Sequence, residues 1–229
     1  MKKVACLMLI CILNLSFILN DKFYIKEDFI NKFIHGLDLS IEEYGIRIEL
    51  EGMSEKDFID FYIDICEEAL SVKGIKSNFN IEYGKNITTL TQMEEDIKIS
   101  GLMNNKSKNS YVELKFNIKS IEEKDKIDEL LKKEVKLDDS KRVYKYAKAK
   151  LPEDELDKNV LNIKNTLRNE NSKDIDIVYS EAGVLGTALA RSPYSKNGFL
   201  GYEDINFAVM NYDSGVYLIV GTPIIYSSY

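Results

Sequence analysis

Apolar residues fall along this chain in three patterns. Val4 to Leu19 is apolar nearly all round, with Lys2 and Lys3 ahead of it and no acid in the first twenty residues. A helix of about sixteen residues spans about 24 Å, short of a hydrocarbon core of about 30 Å. A basic start and a short apolar run make the layout of a secretory signal. Residues 1–20 are therefore expected to be a signal peptide or an N-terminal membrane anchor. Phe17, Ile18 and Leu19 stand where a small-x-small cleavage motif would, which leaves both fates open. Cys11 follows Ile10, a poor context for a lipoprotein cysteine.

Beyond Lys22 the apolar residues recur at every second position or at every third and fourth, the signatures of half-buried strands and amphipathic helices. Residues 22–37 place Phe23, Ile30, Phe33, Ile34 and Leu37 at helical spacing, with Gly36 as the stop. Residues 41–50 alternate: Tyr44, Ile46, Ile48 and Leu50 face one way, and Glu43, Arg47 and Glu49 the other. Ser54 is a good N-cap with Asp57 three residues on, a weak capping box. Phe58, Phe61, Ile65, Cys66 and Ala69 then form a helical stripe that ends at Gly74. Shorter strands are expected near 78–84, 87–91 and 94–100, a polar tip at 102–110 and a strand at 111–119. The last should pair with 94–100 as a hairpin.

Ile127, Leu130, Leu131 and Val135 mark a further helix, and 142–150 a strand. Leu151-Pro152 punctuates the chain, with Pro in the first turn of a helix carrying Leu156, Val160, Ile163 and Leu167. Strands follow at 175–180, 204–212 and 216–226, after a loop at 192–203, and the last two form a hairpin around Asp213-Ser214-Gly215. Val216 to Val220 is apolar on both sides, as in a central strand.

Strands come in adjacent groups rather than in strict alternation with helices, so the fold class is α+β with mainly antiparallel sheets. The expected organisation is a signal or anchor over 1–20, a first α+β unit over 21–150 and a second over 151–229, the units being two-layer α/β sandwiches. No repeat is visible in the residues themselves, and no segment is of low complexity.

Composition narrows the partners. The net charge is −7, and Lys2 and Lys3 belong to the leader, so the remainder is more acidic still. Nucleic-acid binding draws on phosphate neutralisation by Lys and Arg, so this balance argues against nucleic acid. Of three cysteines, Cys6 and Cys11 lie in the leader, leaving Cys66 without an internal disulfide partner. The fold must then be held by packing, for which 14 Tyr and 10 Phe supply bulk in the absence of Trp.

Few residues carry chemistry by their type and spacing. His35 is the single histidine, too few for a His-rich metal site and the one histidine a Ser-His-Asp triad could use; it reads as a partly exposed structural side chain. Cys66 sits on an apolar helical face and reads as a small hydrophobe. Gly183-Val184-Leu185-Gly186 lacks the spacing of a dinucleotide or P-loop fingerprint and reads as a chain bend; it matches the GXXG of a KH loop, but Glu181 flanks it. The acid pairs Glu42-Glu43, Glu67-Glu68, Glu94-Glu95-Asp96, Glu122-Glu123 and Asp138-Asp139 fit solvated faces and helix starts, or a carboxylate pair of glycosidase type. Residues 141–150 (KRVYKYAKAK) interleave cations with tyrosines. In a strand Arg142, Tyr144, Tyr146, Lys148 and Lys150 share one face. That is a candidate face for an anionic ligand, or a solvated strand paired with neighbouring acids.

The tail Val216-Tyr217-Leu218-Ile219-Val220-Gly221-Thr222-Pro223-Ile224-Ile225, closing at Tyr229, resembles that of the YwmB family of spore-forming Gram-positive bacteria. The specific match is about a dozen residues, and the signal-like start, length and element order agree with it. The resemblance implies two small α/β sandwich units, no established activity and no catalytic residues to carry over. The family is sometimes labelled TATA-box binding. Recognition of that type uses a basic saddle with apolar wedges, whereas only 141–150 is basic here. The expected function is therefore that of an exported, non-enzymatic protein without cofactor or metal. It would bind a partner protein of the envelope or an anionic wall polymer, with membrane contact through residues 4–19 if they stay uncleaved. The alternatives are a nucleic-acid binder acting through 141–150 and a carboxylate-dependent hydrolase.

Overall fold

The computed structural model describes residues 29–76, 79–134, 141–152, 155–181, 183–192 and 201–226. The leader and the Asp138-Asp139 pair lie outside the described residues, as does the start of the helix expected from residue 22. Among the described residues there are four helices and ten strands. No described helix is long and apolar enough to cross a membrane.

The chain runs α1 (Phe29–Gly36), β1 (Ile41–Glu51), α2 (Glu55–Lys73), β2 (Asn80–Tyr83), β3 (Ile87–Glu94), β4 (Ile97–Asn104), β5 (Asn109–Asn117), α3 (Ile121–Glu134), β6 (Lys141–Lys150), α4 (Leu156–Asn169), β7 (Lys173–Ser180), β8 (Gly183–Ser192), β9 (Gly201–Tyr212) and β10 (Gly215–Thr222). All ten strands join one antiparallel sheet in the order β2-β3-β4-β5-β1-β6-β10-β9-β8-β7. The protein is thus an α+β fold built on a large antiparallel sheet.

The order contains a repeat that the residues do not display. A strand, a helix and four strands (β1-α2-β2-β3-β4-β5) take the sheet order first-fifth-fourth-third-second, and β6-α4-β7-β8-β9-β10 does the same. The two halves meet where β1 pairs with β6. The sheet does not break at Leu151-Pro152, because β6 pairs on one side with β1 and on the other with β10. In the first half α3 packs beside α2, with Lys73 of α2 bound to Glu123 of α3 at 2.5 Å. In the second half that place is taken by α1, which precedes both repeats. Lys32 of α1 pairs with Glu170 at the end of α4, and Gly36 packs on Thr166 of α4.

Alternation fixes which face the helices cover. Tyr44, Ile46, Ile48 and Leu50 of β1, Ile97, Ile99 and Met103 of β4, Val112, Leu114 and Phe116 of β5, and Val216, Leu218 and Val220 of β10 are buried in one core with the apolar stripes of all four helices. Helix α2 starts as its sequence dictates: the Ser54 hydroxyl accepts from the Asp57 amide at 3.2 Å, and Gly74 ends the helix at φ 67. Tyr62 reaches across to the Ile99 carbonyl at 3.2 Å over Gly101, where a side chain would meet its ring at 2.7 Å.

Several expected boundaries move. The polar tip shrinks to residues 105–108, because β4 continues to Asn104 and pairs with Asn109. Pro152 lies ahead of α4, whose N-cap is Glu155 without a side-chain cap bond. Gly183 to Gly186 is no chain bend: it is the start of β8, paired with β7 and β9, and Gly186 lies flat beneath the Phe207 ring. Residues 201–203 belong to β9, and 193–200 lie outside the described residues. The 216–226 strand ends at Thr222, and a cis Thr222–Pro223 bond leads into a tail that turns back over the sheet.

Candidate functional site on the open face of the sheet

The face opposite the helices is built from the other parity of each strand. The register aligns Glu49 with Arg142, Arg47 with Tyr144, Gly45 with Tyr146 and Glu43 with Lys148, and then Lys148 with Ile219 and Lys150 with Tyr217. The five residues expected to share a face, Arg142, Tyr144, Tyr146, Lys148 and Lys150, do share this one. Lys145 does not: it points into the helix layer.

Acids of β1 take up much of this strand's polar capacity. The Tyr144 hydroxyl donates to Glu49 at 3.2 Å, and the Tyr146 hydroxyl donates to Glu43 at 2.5 Å. Arg142 pairs with Glu51 at 3.4 Å. Arg47 pairs with Glu49 at 3.2 Å and lies 3.9 Å over the Tyr111 ring. At the far end of β6 the pattern changes. Lys148 lies 4.4 Å from the Tyr212 ring centroid and 4.5 Å from that of Tyr217, and Lys150 lies 5.9 Å from Tyr217.

The middle of the face is covered by the chain's own tail. Ile225 and Tyr226 pack on a small apolar cluster of Tyr146, Ala208 and Ile219. Tyr226 meets Tyr146 edge to face at 5.2 Å, and Asn206 donates to the Pro223 carbonyl. The Tyr226 hydroxyl is buried without a hydrogen-bond partner among the described residues, and burial holds its pKa far above the phenol range.

On the helix side lies a cluster the sequence did not announce. Asp128 of α3 accepts from Lys124 at 2.6 Å, from Lys145 at 2.7 Å and from the Tyr44 hydroxyl at 2.8 Å. Lys124 is fully buried, 4.6 Å over the Tyr44 ring. Burial pushes the Asp128 pKa up, but the Lys145 and Lys124 ammonium groups outweigh it and hold the carboxyl at about 2. This is an ionic pin between α3 and the β1–β6 seam. Its helical half, Lys124 and Asp128 at i and i+4, was readable as a pair. Its tertiary partners were not.

Cys66 is fully buried on α2, while His35 is exposed on α1. Burial pushes the Cys66 thiol up to about 12, so little thiolate forms at neutral pH. Cys66 is expected to resist iodoacetamide at pH 8 in the folded protein and to react in denaturant, as read by peptide mass mapping. Labelling in the native state at the denatured rate would show an accessible thiol. Among the described residues no group of three or more His, Cys, Asp or Glu side chains is placed to hold a metal.

The fold is that of an α+β protein in which, among the described residues, helices fill one side of a large sheet and side chains with residues 223–226 make up the other. No protein-family model and no curated protein matches the chain.

Proposed function

We propose that this is an exported, non-enzymatic binding protein that holds an envelope partner protein or an anionic envelope polymer on the open face of its sheet. The observation that carries the reading is that face, where tyrosine rings and cations from β5, β1, β6, β10 and β9 are held in fixed geometry opposite a helix layer that completes the core. Within the same proposal the chain is a relative of the YwmB family, and its two topological halves are two α/β sandwich units sharing one sheet.

A C-terminal tag is expected to be cleaved by protease added to intact protoplasts, and purified protein to be retained on isolated wall polymer. A tag protected in the cytosol overturns the export. Turnover of wall substrate by the metal-free protein, abolished by an acid-to-amide change, overturns the non-enzymatic reading in favour of a carboxylate-dependent hydrolase.

One observation favours nucleic acid as a second reading. Apolar side chains stand exposed at both ends of the open face, Ile87 and Met93 on β3, Val178 and Leu185 on β7 and β8, as wedges for a kinked duplex would. Between them stand Glu43, Glu49, Glu51 and Glu113, which repel the long phosphate rows of a duplex. A duplex titration at low salt is therefore expected to be flat.

A further inference from the structure

At one end of the open face two ammonium groups converge on one tyrosine ring. The Lys148 and Lys150 ammonium groups both lie within 6 Å of the Tyr217 ring centroid, and that of Lys148 also lies 4.4 Å from the Tyr212 ring centroid. The two rings pack edge to face with centroids 5.5 Å apart. Among the described residues neither lysine is in an ion pair. Glu43 is the cross-strand neighbour of Lys148; its carboxylate accepts from the Tyr146 hydroxyl and keeps its charge, which the two lysines together exceed. The stem of Lys150 is held over Gly215 in the β9–β10 hairpin, where a Cβ would meet its Cε at 2.8 Å.

We propose that Lys148, Lys150, Tyr212 and Tyr217 bind a phosphate group, supplied by the phosphodiester backbone of a polyol-phosphate wall polymer. This rests on the proposed use of the open face and names its ligand. Two like charges brought to one ring repel each other, and an anion between them relieves that repulsion. Their positions are fixed by the rings before any ligand arrives, so little ordering remains to be done on binding. Burial and the Glu43 carboxylate keep the Tyr212 phenol above its ordinary pKa, so its hydroxyl remains a neutral donor. Glu49 and Glu51, toward the other end of β1, keep the positive field to this end of the face, which suits one phosphate at a time rather than the phosphate rows of a duplex. The ring faces are occupied by ammonium groups, which denies them to stacked bases.

The test is a titration of the full chain with glycerol phosphate, followed by NMR of lysine and tyrosine side chains, beside retention on isolated wall polymer. Saturating shifts are expected at Lys148, Tyr212 and Tyr217, and Lys148→Gln should weaken both readouts about tenfold. Lys56→Gln, exposed on α2 on the helix side of the sheet, should leave them unchanged. Lys150→Gln, at an exposed position, is the second variant if Lys148→Gln does not fold. Vesicles of anionic phospholipid should not retain the protein. Absence of saturating shifts, or equal weakening by Lys56→Gln, overturns the site. Polymer held equally by wild type and Lys148→Gln overturns the site while the broader reading of the face stands. Phosphate bound through Lys148 with retention on vesicles but not on polymer overturns the assignment to a wall polymer.

Discussion

Asp128→Asn should cost this protein about 3–5 kcal/mol of unfolding free energy, the largest loss expected of any isosteric change in it. The substitution keeps the shape of the side chain and removes the charge that Lys124 and Lys145 share at 2.6 and 2.7 Å. Lys124 cannot turn to solvent, since it is fully buried beneath α3 and over the Tyr44 ring. Adding Lys124→Met should recover more than about 1 kcal/mol, because two uncompensated ammonium groups become one. Urea unfolding of the single and double variants measures both effects. A single variant within about 0.5 kcal/mol of wild type would mean that the pin contributes nothing. The same carboxyl sets an acid limit. Its folded pKa, about 2, lies below its ordinary value of 3.8. Its contribution is thus complete above about pH 4 and is lost as the pH falls toward 2, and it amounts to roughly 2 kcal/mol. Wild type should lose stability more steeply than Asp128→Asn across that window.

Gly45→Ala is the second large effect. Gly45 lies on the open face of β1 directly under Tyr146, and a Cβ there would overlap the ring. The ring cannot simply lift, because its hydroxyl is bound to Glu43 and its edge carries Tyr226. Overpacking of this kind costs about 1–3 kcal/mol. The distinctive outcome is local: moving Tyr146 removes the seat of the tail, so carboxypeptidase should reach Tyr226 sooner than in wild type. Because the clash is with one ring, Gly45→Ala/Tyr146→Ala should be no less stable than Tyr146→Ala alone. If the double variant loses the full sum of both changes, the Gly45–Tyr146 contact is not the cause.

What the sequence disclosed, and what it withheld, follows from the range of each interaction. The helix from Glu55 to Lys73 was legible at both ends, since Ser54 and Gly74 act on their own neighbours. The inward parity of Tyr44, Ile46, Ile48 and Leu50 was legible for the same reason, as was the shared face of Arg142, Tyr144, Tyr146, Lys148 and Lys150. Gly183 to Gly186 misled, because glycine serves a close approach as well as a turn, and Phe207, which Gly186 accommodates, is remote in sequence. The partners of the basic strand were hidden by registry. Nothing local says that β10 follows β6 in the sheet, so Tyr217 beside Lys150 and Ile219 beside Lys148 came only from the pairing. The repeat stayed hidden because it survives in strand order and not in side chains.

That strand order also dictates how the chain must be completed as it is made. In each half the last strand is not added at an edge but slides into the interior: β5 between β1 and β4, β10 between β6 and β9. The helix α1, made before either half, rests on α4 and waits for more than a hundred residues to follow it. Closing such distant pairs is slow compared with forming the local hairpins β2–β3–β4 and β7–β8–β9. Until Gly215–Thr222 has emerged, β6 and β9 each present an unpaired rim, and a nascent chain carries two open sheet edges in its middle, where neighbouring chains can pair with them.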